Sequence, residues 1–518
     1  MAGNAAIVAG AFAISRLLGL VREIVIAGQF GTGDTYDAYL AAFRIPDLIF
    51  VVVMSGAFGS AFIPVFGGFL ARDDPDRAWR LANTLLTWVI VVLVVVAQII
   101  LLFAGPLITD LIAPELPSDA QDLAVNLTRL LLLSPLLLGL GAAAKGMLEA
   151  HDAFTLPAVA PILYNVGIIL GAIVLTPSIG VYGLAAGVIL GAASHVAIQF
   201  AALLRYGFHF RPSLSRHTEG LSEVARLMLP RVAGQVAGQA NLIVMTNFAS
   251  RLGEGRISAL SYGQHLVLLP HGILAMSLST VIFPHMARQF ELGKIDELRQ
   301  TLHRALGPLL FLTVPAAVGL FAFRVSIVQV VLQYGSFTAE STALVAEAVG
   351  YFALGLIARA LIEPITRAFY AMRDTRTPLV VALLAIVVNI ALSWTLAPLL
   401  GHGGLALSIS ITSILRMLAL LTILSSRAGG LGGALVSSLA RMAPAVAVMA
   451  VVAVGIESVL HQVTDPANGR SVWSYSLFAL SLAGAGMAFL IVAYLSRIPE
   501  LFDLTQAVRQ RLGRFANR

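Results

Sequence analysis

The stretch LTWVIVVLVVVAQIILLF, residues 86–103, contains no charged side chain. A helix needs about 20 mainly apolar residues to cross the hydrocarbon core of a bilayer, so this stretch predicts a membrane-spanning helix. A strand of a membrane barrel would instead alternate apolar and polar residues over about ten positions. No such alternation is present here. The sequence therefore predicts an α-helical membrane protein.

Apolar runs of this kind recur along the whole chain of 518 residues, of which 58% are hydrophobic and only 12% are charged. The mean hydropathy of +0.90 lies far above the average of soluble globular proteins. We predict an all-α polytopic membrane protein with about 14 transmembrane helices. The predicted spans are 5–29, 35–66, 81–106, 123–149, 155–176, 181–204, 222–250, 257–287, 305–333, 342–370, 378–398, 403–426, 434–460 and 473–496.

Lysine and arginine residues are divided unevenly between the two sides of this topology. Only Arg251, Arg256 and Arg470 fall on one side, and the other loop cations fall on the opposite side. Because basic loops are retained in the cytoplasm, we predict that both termini are cytoplasmic. The N-terminal residues lack the basic region and cleavage site of a secretory signal peptide, so we expect the first span to stay in the protein.

The composition also argues against several classes of function. The net charge of +6 comes from loop residues that membrane topology explains, so no nucleic-acid partner is expected. The chain has no cysteine, and its ten histidines show no metal-ligand spacing. No nucleophile and base stand at usable spacing, so we expect no enzyme activity, no metal and no cofactor.

Two halves of the chain resemble each other. AHDAFTLP at 150–157 is similar to AMRDTRTP at 371–378, and Pro378 follows Pro157 by 221 residues. Gly404 and Gly183, which both begin Gly-Leu-Ala, are also 221 residues apart. Duplicated halves are typical of transporters. We predict a six-helix bundle at 1–210, its repeat at 220–430, two additional spans at 431–497 outside the duplication, and a basic amphipathic tail at 498–518.

Charged residues are concentrated in the first two spans, where each costs about 2.5–3.5 kcal/mol unless it faces water or a partner. Arg16 has no acid three or four residues away, so we expect it to face a cavity. Arg22 and Glu23 have two equally good interpretations, a cavity-lining role and a structural ion pair at the cavity wall. The other charged residues of these spans are Asp37, Arg44 and Asp47.

Spacing by four residues predicts salt bridges in two other spans. Arg359, Glu363 and Arg367 follow each other at this spacing in the tenth span and predict an internal ladder of ion pairs. Lys145 and Glu149 have the same spacing at the end of the fourth span. We interpret both sets as structural.

The first two spans resemble a known family. The matching motifs are SRLLGLVRE at 15–23, FG at 30–31, DA at 37–38, AFRIP at 42–46, GAF at 56–58 and AFIPV at 61–65. They closely resemble the MurJ/MviN lipid II flippases, which belong to the multidrug/oligosaccharidyl-lipid/polysaccharide exporter superfamily. The span number, the duplication and the two extra C-terminal helices extend this resemblance over nearly the whole chain.

The resemblance implies that the protein moves lipid II, the undecaprenyl-diphosphate-linked peptidoglycan precursor, across the bacterial cytoplasmic membrane. Arg16, Arg22 and Arg44 match cationic positions that bind the headgroup in the family. Asp37 matches the family acid at the outer end of the second helix. The groove beside the last two helices is implied to hold the lipid tail, and proteins of cell-wall synthesis are implied partners.

The chain departs from the family at several charged positions. Phe50, Val51 and Ser55 stand where the family usually has an arginine pair and a glutamate. His265 stands where the family commonly has arginine, and it either binds an anion or hydrogen-bonds within the bundle. These departures leave open a cargo other than lipid II.

Three function hypotheses remain. A flippase for lipid II or for another polyprenyl-linked glycan needs a cationic cavity, as the three arginines indicate. A drug or cation exporter of the same superfamily needs an acidic or aromatic cavity, and a non-transporting scaffold needs a closed bundle.

Transport in one direction needs an energy source that favours one conformation over the other. Membrane potential, protons and Na⁺ are the candidate sources. Glu23, Asp37 and Asp47 are candidate carriers of such an ion or candidate ion-pair partners.

Overall fold

The computed structural model describes residues 2–53, 62–430, 432–463, 472–503 and 505–506. This part of the chain is almost entirely helical and contains no strand, which confirms the all-α prediction. Ser55 and most of the predicted tail at 498–518 lie outside the described residues. The chain forms two compact units, Met1–Ser258 and Ala259–Arg518. This division does not test the predicted duplication of two six-helix bundles, which stays a prediction.

Within its described residues, the first unit contains ten helices. They are interrupted by π-helical turns at Leu107–Ile112 and Gly171–Leu175 and by a 3-10 turn at Leu204–Tyr206. The helices are α1 (Ala2–Phe30), α2 (Asp34–Val53), α3 (Ile63–Leu70), α4 (Pro75–Pro106), α5 (Ser118–Leu131), α6 (Leu133–Ala150), α7 (Thr155–Leu170), α8 (Thr176–Ile179), α9 (Val181–Leu203) and α10 (Leu221–Ser250).

The second unit holds the remaining helices. The first of them, α11, begins at Arg256, just before the boundary between the units. A π-helical turn at Gly272–Met276 joins it to the next helix. The helices are α11 (Arg256–His271), α12 (Ser277–Glu291), α13 (Ile295–Ala322), α14 (Arg324–Leu332), α15 (Ala339–Ala371), α16 (Arg376–Ala428), α17 (Gly432–Val463) and α18 (Val472–Leu495).

A helix stands at each of the predicted spans. Ten helical stretches of the described chain are long and apolar enough to cross a membrane. One of them, α16, has non-helical backbone angles at Gly401 (φ 56°, ψ −141°), so it contains two predicted spans. The remaining three of the 14 predicted spans correspond to helices α1, α2 and α10, which carry charged residues. The predicted second span, 35–66, runs partly outside the described residues.

Helices α7 and α9 pack with their backbones in close contact. A Cβ added to Gly187 of α9 would lie 2.8 Å from the Gly167 carbonyl oxygen and 2.8 Å from the Gly171 Cα. No side chain fits in that space, so glycines on both helices are needed where they cross. The two G-x-x-x-G repeats at Gly183, Gly187 and Gly191 therefore set the distance between α7 and α9.

The polar stretch that precedes α10 is held against α4. Asn83 donates to the His209 carbonyl oxygen at 3.2 Å and accepts from the Arg211 amide at 2.9 Å. Thr87 accepts from the Ser213 amide at 3.0 Å. These bonds satisfy backbone groups that have no helix to pair with. The connection into α10 thus belongs to the first unit.

The last two helices pack on α13 and α14. The rings of Phe311 and Phe489 lie 5.1 Å apart and join α13 to α18. The buried Glu457 carboxylate of α17 accepts hydrogen bonds from the Ser326 hydroxyl of α14 at 2.8 Å. A buried carboxylate is tolerated only when such donors satisfy it. The additional spans are therefore attached to the second unit by both apolar and polar contacts.

The connection from α15 to α16 is organised by Asp374. Its carboxylate accepts from the Arg376 and Thr377 amides at 3.0 and 2.9 Å, and from the Thr377 hydroxyl at 2.6 Å. It also forms an ion pair with Arg427. Although partial burial opposes the shift, the hydrogen bonds from Thr377 and the Arg427 guanidinium lower the pKa of Asp374 to about 2.

We expect Asp374→Asn to lower the thermal stability of the protein at neutral pH. A carboxyl with a lowered pKa stabilises the fold above its ordinary pKa of 3.8, and this contribution is lost as the pH falls through about 2. The difference in melting temperature between wild type and variant should therefore be the same at pH 7 and pH 5 and should shrink below about pH 4. Thermal unfolding at these pH values measures it, and a difference that already shrinks between pH 7 and pH 5 contradicts the assignment.

Candidate functional site

Arg22 of α1 is held by two partners inside the first unit. Its guanidinium lies 2.7 Å from the Glu23 carboxylate and donates to the Asn165 side-chain oxygen on α7 at 3.2 Å. The Asn165 amide in turn donates to the Ser15 carbonyl oxygen at 3.4 Å. The ion pair that the sequence left as one of two interpretations is therefore formed. The Arg22 side chain nevertheless remains 25% exposed, so its guanidinium is only partly covered.

Arg16 lies on the same side of α1 as Glu23, because seven residues are almost two helical turns. It is exposed, whereas Glu23 is only 9% exposed. Within the described chain, no side chain forms an ion pair or hydrogen bond with Arg16. Phe12, one turn before Arg16, is also exposed, and Ala27, one turn after Glu23, is completely buried. The side chains on this side of α1 therefore become more exposed towards the N-terminal end of the helix.

Helices α2 and α10 are joined by two pairs of polar side chains. The Arg44 Nε donates to the Thr246 hydroxyl at 2.8 Å, and Gln239 donates to the Asp47 carboxylate at 3.0 Å. The residue numbers rise along one helix and fall along the other, so the two helices run antiparallel. Each polar group in these spans is thereby paired, as an apolar environment requires.

Asp37 is completely buried at the first turn of α11. Its Oδ1 accepts from the Ser258 backbone amide at 2.7 Å, and the Ser258 hydroxyl donates to the Gly255 carbonyl oxygen at 3.1 Å. The first amides of a helix have no partner within the helix, and a carboxylate is favoured at this end by the helix dipole. Asp37 therefore caps the segment 256–258, which belongs to the first unit, and its predicted role in gating or ion coupling stays a prediction.

We expect Asp37→Ala to destabilise the protein by about 0.5–2 kcal/mol, the range measured for loss of a helix cap. Asp37→Asn keeps an oxygen that accepts from Ser258, so it should cost less. Thermal unfolding of the solubilised protein compares the two variants, with Asp122→Ala as the control because Asp122 is an exposed carboxylate on α5. Equal losses for the alanine and asparagine variants contradict the hydrogen-bonding role.

A cavity of about 270 Å³ lies within the first unit, between α1, α2, α6, α7 and α9. Its polar lining consists of Tyr164, His195, Lys145 and Glu149. The predicted pair of Lys145 and Glu149 is formed, at 3.8 Å. Phe50 also lines this cavity. Lys145 and His195 are the basic groups of its lining.

His265 lies on α11 in the second unit and is exposed. Arg16, Arg22 and Arg44 belong to the first unit, so a common site with His265 stays a prediction. Within the described residues, no group of three or more His, Asp or Glu side chains could hold a metal ion.

The ladder predicted for Arg359, Glu363 and Arg367 is wrong. Glu363 lies instead 4.0 Å from the His271 Nε2 of α11, and Arg367 stacks over the Phe283 ring at 5.6 Å. The reason is that α15 is packed against other helices. Those helices bring His271 and Phe283 closer to Glu363 and Arg367 than the residues four positions away on α15.

Four partners of the charged residues were not found by sequence reasoning. Each is a small polar residue within an otherwise apolar stretch, and that isolation was the only available signal. They are Asn165, Gln239, Thr246 and Ser258.

The family model described as "Lipid II flippase MurJ" matches residues 26–467. The lipid II flippase MurJ of Burkholderia cenocepacia is 32% identical over 424 residues, which cover 80% of this chain and 81% of that protein. A probable lipid II flippase MurJ of Rhizobium tropici is 31% identical over 423 residues, which cover 80% of this chain and 79% of that protein.

Solved structures show the same fold. A lipid II flippase MurJ in an inward closed conformation superposes with a TM-score of 0.77 at 23% identity, covering 95% of this chain and 98% of that one. An inward-facing multidrug resistance transporter of the MATE family, in the MOP superfamily, superposes with a TM-score of 0.66 at 16% identity. The superposition covers 80% of this chain and 95% of that one. These two likenesses establish the architecture of the chain.

Proposed function

Because the chain belongs to the MurJ family of lipid II flippases, we propose that it carries lipid II from the inner to the outer leaflet of the bacterial cytoplasmic membrane. It is a multi-pass membrane protein of a transporter family and not an enzyme. The family expected from the motifs of the first two spans is confirmed.

The observation that carries this proposal is the environment of Arg16. Its guanidinium is exposed within a predicted span and has no partner in the described chain, whereas Arg22 and Arg44 are held by neighbours. An unpaired cation costs about 2.5–3.5 kcal/mol at the centre of a bilayer, so its presence there indicates a wet cavity and an anionic ligand. The diphosphate of lipid II is such a ligand, because arginine binds phosphate through two parallel hydrogen bonds.

Arg22 and Arg44 have a supporting role in this proposal. Arg22 keeps a partly exposed side chain while Glu23 and Asn165 fix its position. Arg44 is fixed by Thr246. Arginines whose rotamers are already set lose less conformational entropy when a headgroup binds, which favours binding. The headgroup would thus meet the Arg16 guanidinium, which has no partner in the described part of the chain, and two guanidinium groups that are already oriented.

The polyprenyl tail of the substrate needs an apolar surface. Helices α17 and α18 offer one, because Val451, Leu480 and Leu495 are each more than two-thirds exposed. We assign the tail to this pair of helices, while the headgroup crosses between the leaflets by alternating access.

The direction of transport requires an energy source and an orientation. We propose that both termini are cytoplasmic, as the basic loops predict. We also propose that membrane potential, protons or Na⁺ bias the transport cycle, with Glu23, Asp37 and Asp47 as candidate ion carriers. Proteins of cell-wall synthesis that use lipid II at the outer leaflet are the proposed partners.

Complementation tests this function. The wild-type chain is expressed in a bacterium depleted of its own lipid II flippase, and growth is scored together with the amount of chain in the membrane fraction. We expect rescue of growth and of the transfer of lipid II to the outer leaflet. No rescue by a well-inserted wild-type chain contradicts the assignment and favours another polyprenyl-linked glycan or a non-transporting role.

A further inference from the structure

Three arginines and one glutamate lie close together inside the second unit. Arg359, Glu363 and Arg367 follow each other on one side of α15, and Arg416 lies on the second half of α16. His271, the last residue of α11, completes this group, which we call the α15 basic cluster. None of its members has a role in the function proposed above.

Two basic members of the α15 basic cluster, His271 and Arg416, lie near its one carboxylate. Glu363 lies 4.0 Å from His271 and within electrostatic range of Arg416. Arg359 is within electrostatic range of His271. The Glu363 side chain is 35% exposed, so the cluster reaches the surface of the unit at this residue.

Three nitrogen atoms of this cluster have no hydrogen-bond partner within the described residues. The Nη1 of Arg359 and the Nε of Arg416 are buried, and neither has a hydrogen-bond partner within the described chain. The Nδ1 of His271 is buried without a partner in the same part of the chain. Donors buried without acceptors cost free energy, and a single glutamate leaves an excess of two positive charges against three arginines.

The backbone beside the cluster is irregular. Pro270 precedes His271, and the π-helical turn Gly272–Met276 follows it directly. Single π-helical turns inside α-helices occur frequently at functional sites. This turn ends α11 at His271 and so places that side chain beside α15.

We propose that the α15 basic cluster is a second anion site, which binds the diphosphate of the lipid-linked substrate through Arg359 and Arg416. A diphosphate that links two groups is doubly charged and offsets the excess of two positive charges. Its oxygens are acceptors for the unpaired guanidinium donors. Glu363 keeps the arginines oriented but opposes anion binding by its charge. This site rests on the proposed function, and it is separate from Arg16.

Binding of lipid II to the purified full-length chain tests this site. Native mass spectrometry in detergent separates chains with one and with two bound lipid II molecules, and it gives the apparent Kd of the second one, which reports this site separately from Arg16. Arg359→Gln and Arg416→Gln should each raise it about tenfold or more, because each removes a charge-assisted contact. Glu363→Gln should lower the Kd, and misfolding could not produce tighter binding. Arg324→Gln is the matched control, because that arginine of the same unit already donates to the Phe321 carbonyl oxygen at 2.7 Å.

Two further titrations test whether the cluster binds lipid II specifically or any ligand that carries a phosphate. Phosphatidylglycerol and inorganic diphosphate are each titrated against the wild type and against Arg359→Gln. Weaker binding of both than of lipid II supports the site. An affinity for phosphatidylglycerol equal to that for lipid II, with the same loss in Arg359→Gln, assigns the cluster to bulk lipid and overturns the proposal. Inorganic diphosphate that binds but does not compete with lipid II also overturns it.

Failure of this site and failure of the proposed function give different results. Arg359→Gln and Arg416→Gln variants that bind lipid II like the wild type overturn the second site, while a wild type that still rescues growth keeps the flippase function. A wild type that neither binds lipid II nor rescues growth overturns both.

Discussion

Arg16→Ala is expected to abolish rescue of a flippase-depleted bacterium. The substitution removes an exposed guanidinium that has no partner within the described chain, so folding should be little affected. Loss of one charged contact to a buried phosphate costs about 2–5 kcal/mol, and about 1.4 kcal/mol corresponds to a factor of ten. We therefore expect the rate of lipid II transfer to fall by about thirtyfold or more, measured as outer-leaflet lipid II per inserted chain.

Three control variants separate this effect from a general loss of positive charge. Arg205→Ala removes an exposed arginine after α9, outside the spans, and should rescue growth like the wild type. Arg16→Lys keeps the charge but not the paired donors, so partial rescue is expected. Asn165→Ala leaves Arg16 in place and removes a partner of Arg22, so a smaller loss is expected. Full rescue by Arg16→Ala at wild-type expression would falsify the role of this residue.

Gly187→Ala is expected to have the largest effect on stability. The added Cβ would lie 2.8 Å from two backbone atoms of the facing chain segment, at Gly167 and Gly171, and backbone cannot move aside as a side chain can. Overpacking of this kind costs about 1–3 kcal/mol and occasionally more. Thermal unfolding of the solubilised protein should show a lower midpoint and less folded protein after extraction.

The same substitution at a matched glycine is expected to change the stability in the opposite direction. Nothing lies within 4 Å of a Cβ added to Gly105, which is also inside a helix. Alanine is a better helix former than glycine by about 1 kcal/mol, so Gly105→Ala should leave the stability unchanged or raise it. If Gly187→Ala and Gly105→Ala had the same effect, the close approach of α7 and α9 would not be the determinant.

The candidate site was only partly predictable from the sequence. The charges of α1 and α2 were found because an ionisable residue within an apolar stretch is conspicuous. The partners were not found, since Asn165 is 143 residues from Arg22 and Thr246 is 202 residues from Arg44. Lys145 and Glu149 did pair as predicted, because both stand on one helix at the favourable spacing.

The α15 basic cluster shows the opposite outcome for the same rule. Arg359, Glu363 and Arg367 have the spacing of an ion-pair ladder, yet Glu363 lies nearest to His271 on another helix. Local spacing states which residues are able to meet, but the rotation of a helix and its neighbours decide which of them do. A rule for isolated helices therefore fails where helices are packed on several sides.

The sequence by itself determined the membrane class and the family, because these depend on local composition and motifs along the chain. Bilayer thickness sets the length of each apolar run, so spans can be counted without knowing how they pack. Only the tertiary structure decided which charges are paired and which are not. That choice depends on contacts between residues far apart in the chain, which leave Arg16, Arg359 and Arg416 with unsatisfied donors or no partner in the described chain.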